Sequence, residues 1–260
     1  MLQYTFIHAP GIGRTTEQKL WDAGVRSWTD FLARDPMLLP SRCGKGLRVY
    51  IEQSRHALQE RDAGFFRRLA KLGETWRTYE EFADRCVFLD IETTGYLGQG
   101  CITVVGMDYG KGYRQFILGK NLSQVPRELA RHSIIITFNG STFDLPFIRS
   151  TWPKCRIPEI HIDLLYPLRR LGYTGGLGAV EKRFGIRRPK NIADMNGFDA
   201  INLWFKYKNF GDREALARLL EYNAADVENL GKIMHRAFAE LRAVRAPFLT
   251  RTLVAKATQY

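Results

Sequence analysis

Four carboxylates in three separated segments have the residue types and spacing for metal chemistry. Asp90 and Glu92 lie in Phe88-Leu89-Asp90-Ile91-Glu92-Thr93-Thr94-Gly95, Asp144 ends Asn139-Gly140-Ser141-Thr142-Phe143-Asp144, and Asp226 ends Tyr222-Asn223-Ala224-Ala225-Asp226. Each acid sits in or beside an apolar segment suited to a core, where an unpaired negative charge is costly. Oxygen-only ligands with no clustered Cys or His suit hard divalent ions, Mg²⁺ or Mn²⁺, rather than zinc. Two such ions roughly 3.5–4 Å apart can activate a water, hold an in-line geometry and stabilise a developing alkoxide, the three requirements of phosphodiester hydrolysis.

The elements that must position these acids can be read from periodicity. Cys86-Val87-Phe88-Leu89-Asp90-Ile91 is a strand candidate, so Asp90 and Glu92, two apart, leave one face of a sheet. Asp144 follows an apolar run, 133–138, fit for a strand buried on both faces, and the turn Asn139-Gly140. With Pro146 two residues on, Asp144 taken by itself reads first as the N-cap of a helix starting at Leu145. Tyr222 and Asp226 stand four apart in a helical segment, 213–239, and share a face. Thr93, Thr94 and Gly95 follow the first strand directly, where their backbone can approach a terminal sugar or phosphate or form an ordinary turn. Asn139 and Phe143 are candidates for the same pocket, Phe143 by stacking on a base, or else a turn former and a core filler.

Strand candidates at 102–107 and 113–118 make an antiparallel meander with the first. Helices near 123–131, 177–184, 199–207 and 213–239 then alternate with short apolar links. That order predicts an α/β domain over 84–240 with a mixed sheet flanked by helices. Residues 1–80 read as a small helical module, including one long helix over 44–72, and 241–260 as a basic tail carrying Arg242, Arg245, Arg251 and Lys256. Gly44-Lys45-Gly46 and Gly175-Gly176-Leu177-Gly178 lack the spacing of phosphate loops and read as turns. Asp163, in His161-Ile162-Asp163, reads as a structural acid at a strand end, and His161 as a packed residue.

At 260 residues the chain can bury a sizeable core, and 45% hydrophobic with 25% charged residues is ordinary globular composition. Lys+Arg 39 against Asp+Glu 27 gives a formal charge of +12, which favours a polyanionic partner, nucleic acid before membrane. No apolar run is long enough for a membrane span and no signal peptide is visible, so a cytoplasmic location is expected. Cys43, Cys86, Cys101 and Cys155 are widely spaced and suggest reduced, mostly buried thiols rather than a zinc site or disulfide framework.

Together the three motifs resemble the DEDD superfamily of 3′→5′ exonucleases with a ribonuclease-H-like fold, in the subclass with tyrosine four residues before the last Asp. F-L-D-I-E-T-T-G is similar to its first motif, N-x₃-F-D to its second and Y-x₃-D to its third, over roughly 84–240. The resemblance extends to exonucleases related to the proofreading domain of family-B DNA polymerases. It implies two divalent ions bridged by Asp90, with Glu92 and Asp226 completing the site of the attacking water and Asp144 acting on the second ion. Tyr222 would orient the water, since a phenol with a pKa near 10 is a poor base at neutral pH. The implied substrate is the 3′ end of DNA, single-stranded. The same chemistry on RNA, and a catalytically spent nucleic-acid-binding or adaptor protein, are the alternatives.

Pro10-Gly11-Ile12-Gly13, leading into Thr16-x₃-Leu20-x₃-Gly24, resembles a helix-hairpin-helix element. The open amides at its helix start form an anion site, so Gly11, Gly13, Arg14 and Thr15 are candidate contacts to a DNA backbone. The segment before that turn, Tyr4-Thr5-Phe6-Ile7, reads more as strand than as helix.

Overall fold

A computed structural model describes residues 1–35, 37, 43–110 and 112–249. The chain divides into two compact units, Met1–Ala83 and Asp84–Tyr260.

The first unit is helical. A 3-10 turn, Leu2–Tyr4, precedes α1 (Arg14–Asp22), α2 (Trp28–Ala33) and α3 (Lys45–Gln59). Its core is aromatic, with Phe6, Trp28, Phe31 and Phe66 fully buried. Among them runs a buried ionic network in which Arg77 donates to Glu17 at 3.1 Å and to Glu74 at 2.8 Å. Two expectations fail here. Tyr4–Ile7 forms no strand: Tyr4 ends a 3-10 turn, Leu2–Tyr4, closed by the Thr5 N–H donating to the Leu2 carbonyl at 3.0 Å, and residues 5–7 continue as turn and irregular backbone. The single helix over 44–72 is two elements. Arg61 adopts left-handed backbone at φ 59, the Asp62 carboxylate accepts the Phe65 N–H at 3.3 Å, and the chain restarts as a 3-10 helix, Ala63–Leu72.

The second unit is built on a five-stranded sheet in the order β3-β2-β1-β4-β5, formed by β1 (Cys86–Thr93), β2 (Ile102–Asp108), β3 (Tyr113–Ile117), β4 (Ile134–Thr137) and β5 (Ile160–Asp163). The first three strands are the antiparallel meander, while β4 and β5 run parallel to β1. Parallel pairing needs crossovers, which supply α4 (Val125–Leu129) and α5 (Asp144–Thr151). Then follow α6 (Leu165–Arg170), α7 (Leu177–Arg183), α8 (Gly197–Phe210) and α9 (Arg213–Arg245).

Alternation along β1 divides the layers. Val87, Leu89 and Ile91 pack with Val125, Leu129, Leu145 and Ile148 of α4 and α5. On the other face Val104 and Ile117 pack with Trp204, Leu216 and Leu219 of α8 and α9. The fold is therefore a mixed sheet between helical layers. α9 is capped by Asp212, whose carboxylate accepts the Ala215 N–H at 2.9 Å, and it continues past 240 to Arg245 with Leu241 buried. Arg251 and Lys256 of the predicted tail lie outside the described residues. None of the four cysteines is in a disulfide among the described residues, and burial holds for Cys43 and Cys86 only, Cys155 being half-buried and Cys101 exposed. Among the described residues no helix is long and apolar enough to cross a membrane.

Candidate active site

The acids gather at the carboxyl ends of β1 and β4, and β1 is the strand at which the sheet changes from antiparallel to parallel pairing, a place where open α/β sheets leave a crevice. β1 carries Asp90 and Glu92 on the face covered by α9. The pairing of β1 with β2 slips between Glu92 and Thr93, a bulge that ends the regular ladder at the site. α9 brings Asp226 up to them. One donor oxygen from each of Asp90, Glu92 and Asp226 lies within 4.8 Å of the other two, a group able to hold a metal ion.

Asn223, one turn before Asp226, fixes the geometry. Its Nδ2 donates to Asp90 Oδ2 at 2.8 Å, and its Oδ1 accepts the Tyr113 hydroxyl at 2.9 Å. The amide can enter only because Asp90 is paired across the sheet with Gly106. A Cβ at Gly106 would stand 2.1 Å from Asn223 Oδ1. Asp144 is the first residue of α5, with Phe143 in the cap position, so its side chain does not cap that helix. Its Oδ1 is buried with no hydrogen-bond partner among the described residues.

Burial, then mutual repulsion, lifts the Asp90 and Glu92 carboxyls well above the usual range. Burial is also the main cause that pushes Asp144 and Asp226 up to about 7. A cluster of this kind takes up protons unless a cation replaces them, and a buried orphan oxygen beside three converging carboxylates fits a divalent cation.

Residues 87–238 match the RNase_H_2 family of the RNase_H superfamily. The chain belongs to the RNase_H superfamily. Among solved structures it is similar to the EXO domain of Aedes aegypti Nibbler, at 12% sequence identity and a TM-score of 0.39, over 66% of this chain and 86% of that one. No curated protein matches it.

In this RNase_H-superfamily domain the carboxylates open onto two cavities. One, of about 570 Å³, is lined by Asp90, Glu92, Asp144, Tyr222 and Asp226 together with all five predicted substrate residues, Thr93, Thr94, Gly95, Asn139 and Phe143. Two devices shape its rim. The loop after β1 is clasped by the Thr94 N–H donating to the Cys101 carbonyl and the Cys101 N–H donating to Thr94 Oγ1, both at 2.9 Å. Asn139 takes left-handed backbone at φ 61, and Asp163 holds that turn by accepting the Asn139 N–H at 2.7 Å and the Ser141 hydroxyl at 2.6 Å. Asp163 is thus structural, and His161 packs with Nε2 2.8 Å from Thr137 Oγ1.

The second cavity, about 750 Å³, lies on the other side of Asp90, Tyr222 and Asp226 and is lined by Lys182, Arg187 and Arg188. Arg188 donates to Asp226 Oδ1 and grips Glu181 with two bonds of 2.6 and 2.8 Å. Its guanidinium also lies 5.2 Å from the centroid of the Tyr222 ring. Glu181 is held in turn by Asn229 Nδ2 at 2.9 Å. Burial, with the charges of Asp226, Glu92 and Asp90, raises the Tyr222 phenol and keeps it a neutral donor.

Sequence reading did not assign Asn223, Gly106 or Arg188. Asn223 had a signal, since it stands three residues before Asp226 on one helical face. Gly106 had one too, a glycine inside an apolar strand that marks a close approach. In the first unit Gly11, Gly13, Arg14 and Thr15 are exposed, and no side chain caps α1, which leaves its first amides open. Arg14 is engaged, donating to Glu74 Oε1 at 2.7 Å.

Proposed function

We propose that the chain is a metal-dependent 3′→5′ exonuclease that hydrolyses phosphodiester bonds at 3′ ends of single-stranded DNA by a two-metal mechanism. The observation that carries this reading is the buried Asp144 Oδ1, without a hydrogen-bond partner among the described residues, lining one cavity with three carboxylates whose oxygens converge within 4.8 Å. Membership of the RNase_H superfamily supports it, as does the tyrosine four residues before Asp226.

Asp90, Glu92, Asp144 and Asp226 would hold two Mg²⁺ or Mn²⁺ ions, which supply Lewis-acid activation of water and neutralise charge at the phosphate. Asn223 keeps Asp90 oriented, and Arg188 keeps Asp226 oriented. Tyr222, a neutral phenol, donates a hydrogen bond that positions the attacking water or a phosphate oxygen. The backbone of Thr93, Thr94 and Gly95 approaches the terminal sugar, Asn139 borders it, and Phe143 offers a face for the last base. The open amides at Gly13, Arg14 and Thr15, with the Gly11 turn before them, serve the DNA backbone in the first unit.

The test uses matched 5′-labelled single-stranded DNA and RNA oligonucleotides with Mn²⁺. Stepwise shortening of the DNA from its 3′ end, abolished in Asp90→Ala, is the expected result. Faster shortening of RNA would change the substrate to RNA, and no shortening of either would overturn the reading.

A further inference from the structure

The outward face of α8 has a composition that the carboxylate site does not account for. Phe198, Asn202, Phe205 and Asn209 follow one another at four, three and four residues, so they form one stripe along the helix, with Lys206 beside it. The opposite face, Ala200 and Trp204, is buried against the sheet and α9. Phe198 and Phe205 are 70% and 38% exposed, and Phe210 at the end of the helix is 83% exposed. Three bared phenylalanines on one short helix are unusual on a protein surface unless they bind something.

The stripe links two places. Its first residue, Phe198, lines the cavity that holds the four carboxylates. Its later residues, Asn202, Phe205, Lys206 and Asn209, line a separate groove of about 640 Å³ with Lys190 and Arg218 on its walls. Lys190, Lys206 and Arg218 are exposed and form no ion pair among the described residues. Two acids also line this groove, and one of them, Asp199, accepts the Asn196 N–H at 3.0 Å as part of the cap of α8. Aromatic faces, side-chain amides and cations without an ion pair among the described residues, gathered along one groove, are the chemistry of single-strand recognition, stacking for bases and charge for phosphates. From Phe198 to Phe205 the helix rises about 10 Å, and to Asn209 about 16 Å, the length of three to five base steps at roughly 3.4 Å each.

We infer that the outward stripe of α8, with Lys190 and Arg218 beside it, is a binding track for the single-stranded polynucleotide that leads into the carboxylate site. This rests on the exonuclease reading for its direction, but not for its measurement, because binding can be read without hydrolysis. Lys206 and Arg218 bind phosphates, and Phe205 and Phe210 stack on bases upstream of the terminal nucleotide.

The experiment measures binding of fluorescent oligothymidylates of increasing length to the full chain in EDTA, by anisotropy, for wild type and three variants. Affinity in the wild type should rise with length from a trimer to an octamer. Phe205→Ser/Lys206→Glu should flatten that rise and weaken binding of a 20-mer at least tenfold. Phe210→Ser, at a residue with little packing to lose, should weaken it threefold or more with an unchanged melting temperature. The slope of log K against log salt should shrink by about 1.4 in Lys206→Ala/Arg218→Ala, at 0.7 for each phosphate no longer neutralised. Wild-type affinity for the 20-mer in either phenylalanine variant, or an equal loss for trimer and 20-mer, would overturn the track. So would self-association of the wild type that the variants abolish, which would make the stripe an interface between copies. A wild-type chain that binds with this length dependence and hydrolyses nothing would leave the track standing and remove the exonuclease.

Discussion

Replacing Arg188 by Gln should unsettle the site from behind. Arg188 is 8% exposed and lies between two buried carboxylates, Glu181 at 3% and Asp226 at 7% side-chain exposure. Removing one member of a buried ionic group leaves the others uncompensated, which costs about 3–5 kcal/mol. Among the described residues Glu181 would keep only the Asn229 amide, and Asp226 would lose the cation that opposes its burial. Asp226 titrates at about 7, so protons relieve part of its penalty in acid. The loss should therefore lie near the lower bound at pH 6 and near the upper bound at pH 8. Saturating Mn²⁺ at pH 8 should recover part of it by restoring positive charge at Asp226. Urea denaturation in EDTA and in Mn²⁺, with Glu181→Gln and the double variant, reads all of this. The double variant should cost clearly less than the sum of the single ones. A loss below 1 kcal/mol that is additive with Glu181→Gln and indifferent to pH and metal would refute the reasoning.

Asp144→Asn should abolish hydrolysis yet stabilise the metal-free chain. The folded carboxyl titrates at about 7, above an unfolded value of about 3.9, so its neutral form favours the fold fully below pH 4 and that advantage is lost as pH rises through 7. The variant should gain up to about 4 kcal/mol over wild type at pH 8 and nothing at pH 4, as measured by denaturation in EDTA. Gly106→Ala should cost about 1–3 kcal/mol by overpacking and should weaken Mn²⁺ binding in calorimetry, because the new methyl displaces the Asn223 amide from Asp90. His8 titrates at about 3 inside the first unit, well below the unfolded value, so its contribution is present above pH 6.5 and lost as pH falls towards 3. His8→Leu should remove an acid-side slope of about 1.4 kcal/mol per pH unit from the denaturation profile.

The parts of the site that follow a short period were legible. Asp90 and Glu92 obey the two-residue alternation of a strand, and Tyr222 and Asp226 the four-residue repeat of a helix, so spacing alone places each pair on a face. The meander and the buried β4 were legible for the same reason, since apolar runs bounded by glycine turns have few other readings. Asp144 was ambiguous because an acid before a proline suits a helix cap as well as a ligand. Only the structure shows the residue inside α5 with an oxygen that has no partner among the described residues. Arg188 meets Asp226 across 38 residues of chain, and Asn223 meets Asp90 across 133, distances at which local pattern carries no information. The break after Gln59 was hidden because no glycine or proline stands between Gln59 and Ala63, and an arginine takes the left-handed turn.

Anomalous diffraction from a crystal of the full chain grown with Mn²⁺ tests the central claim most directly. The account predicts two peaks among Asp90, Glu92, Asp144 and Asp226, both lost in Asp90→Ala. An empty cluster in the presence of the ion, or manganese bound elsewhere while these four carboxylates stay protonated, would contradict it.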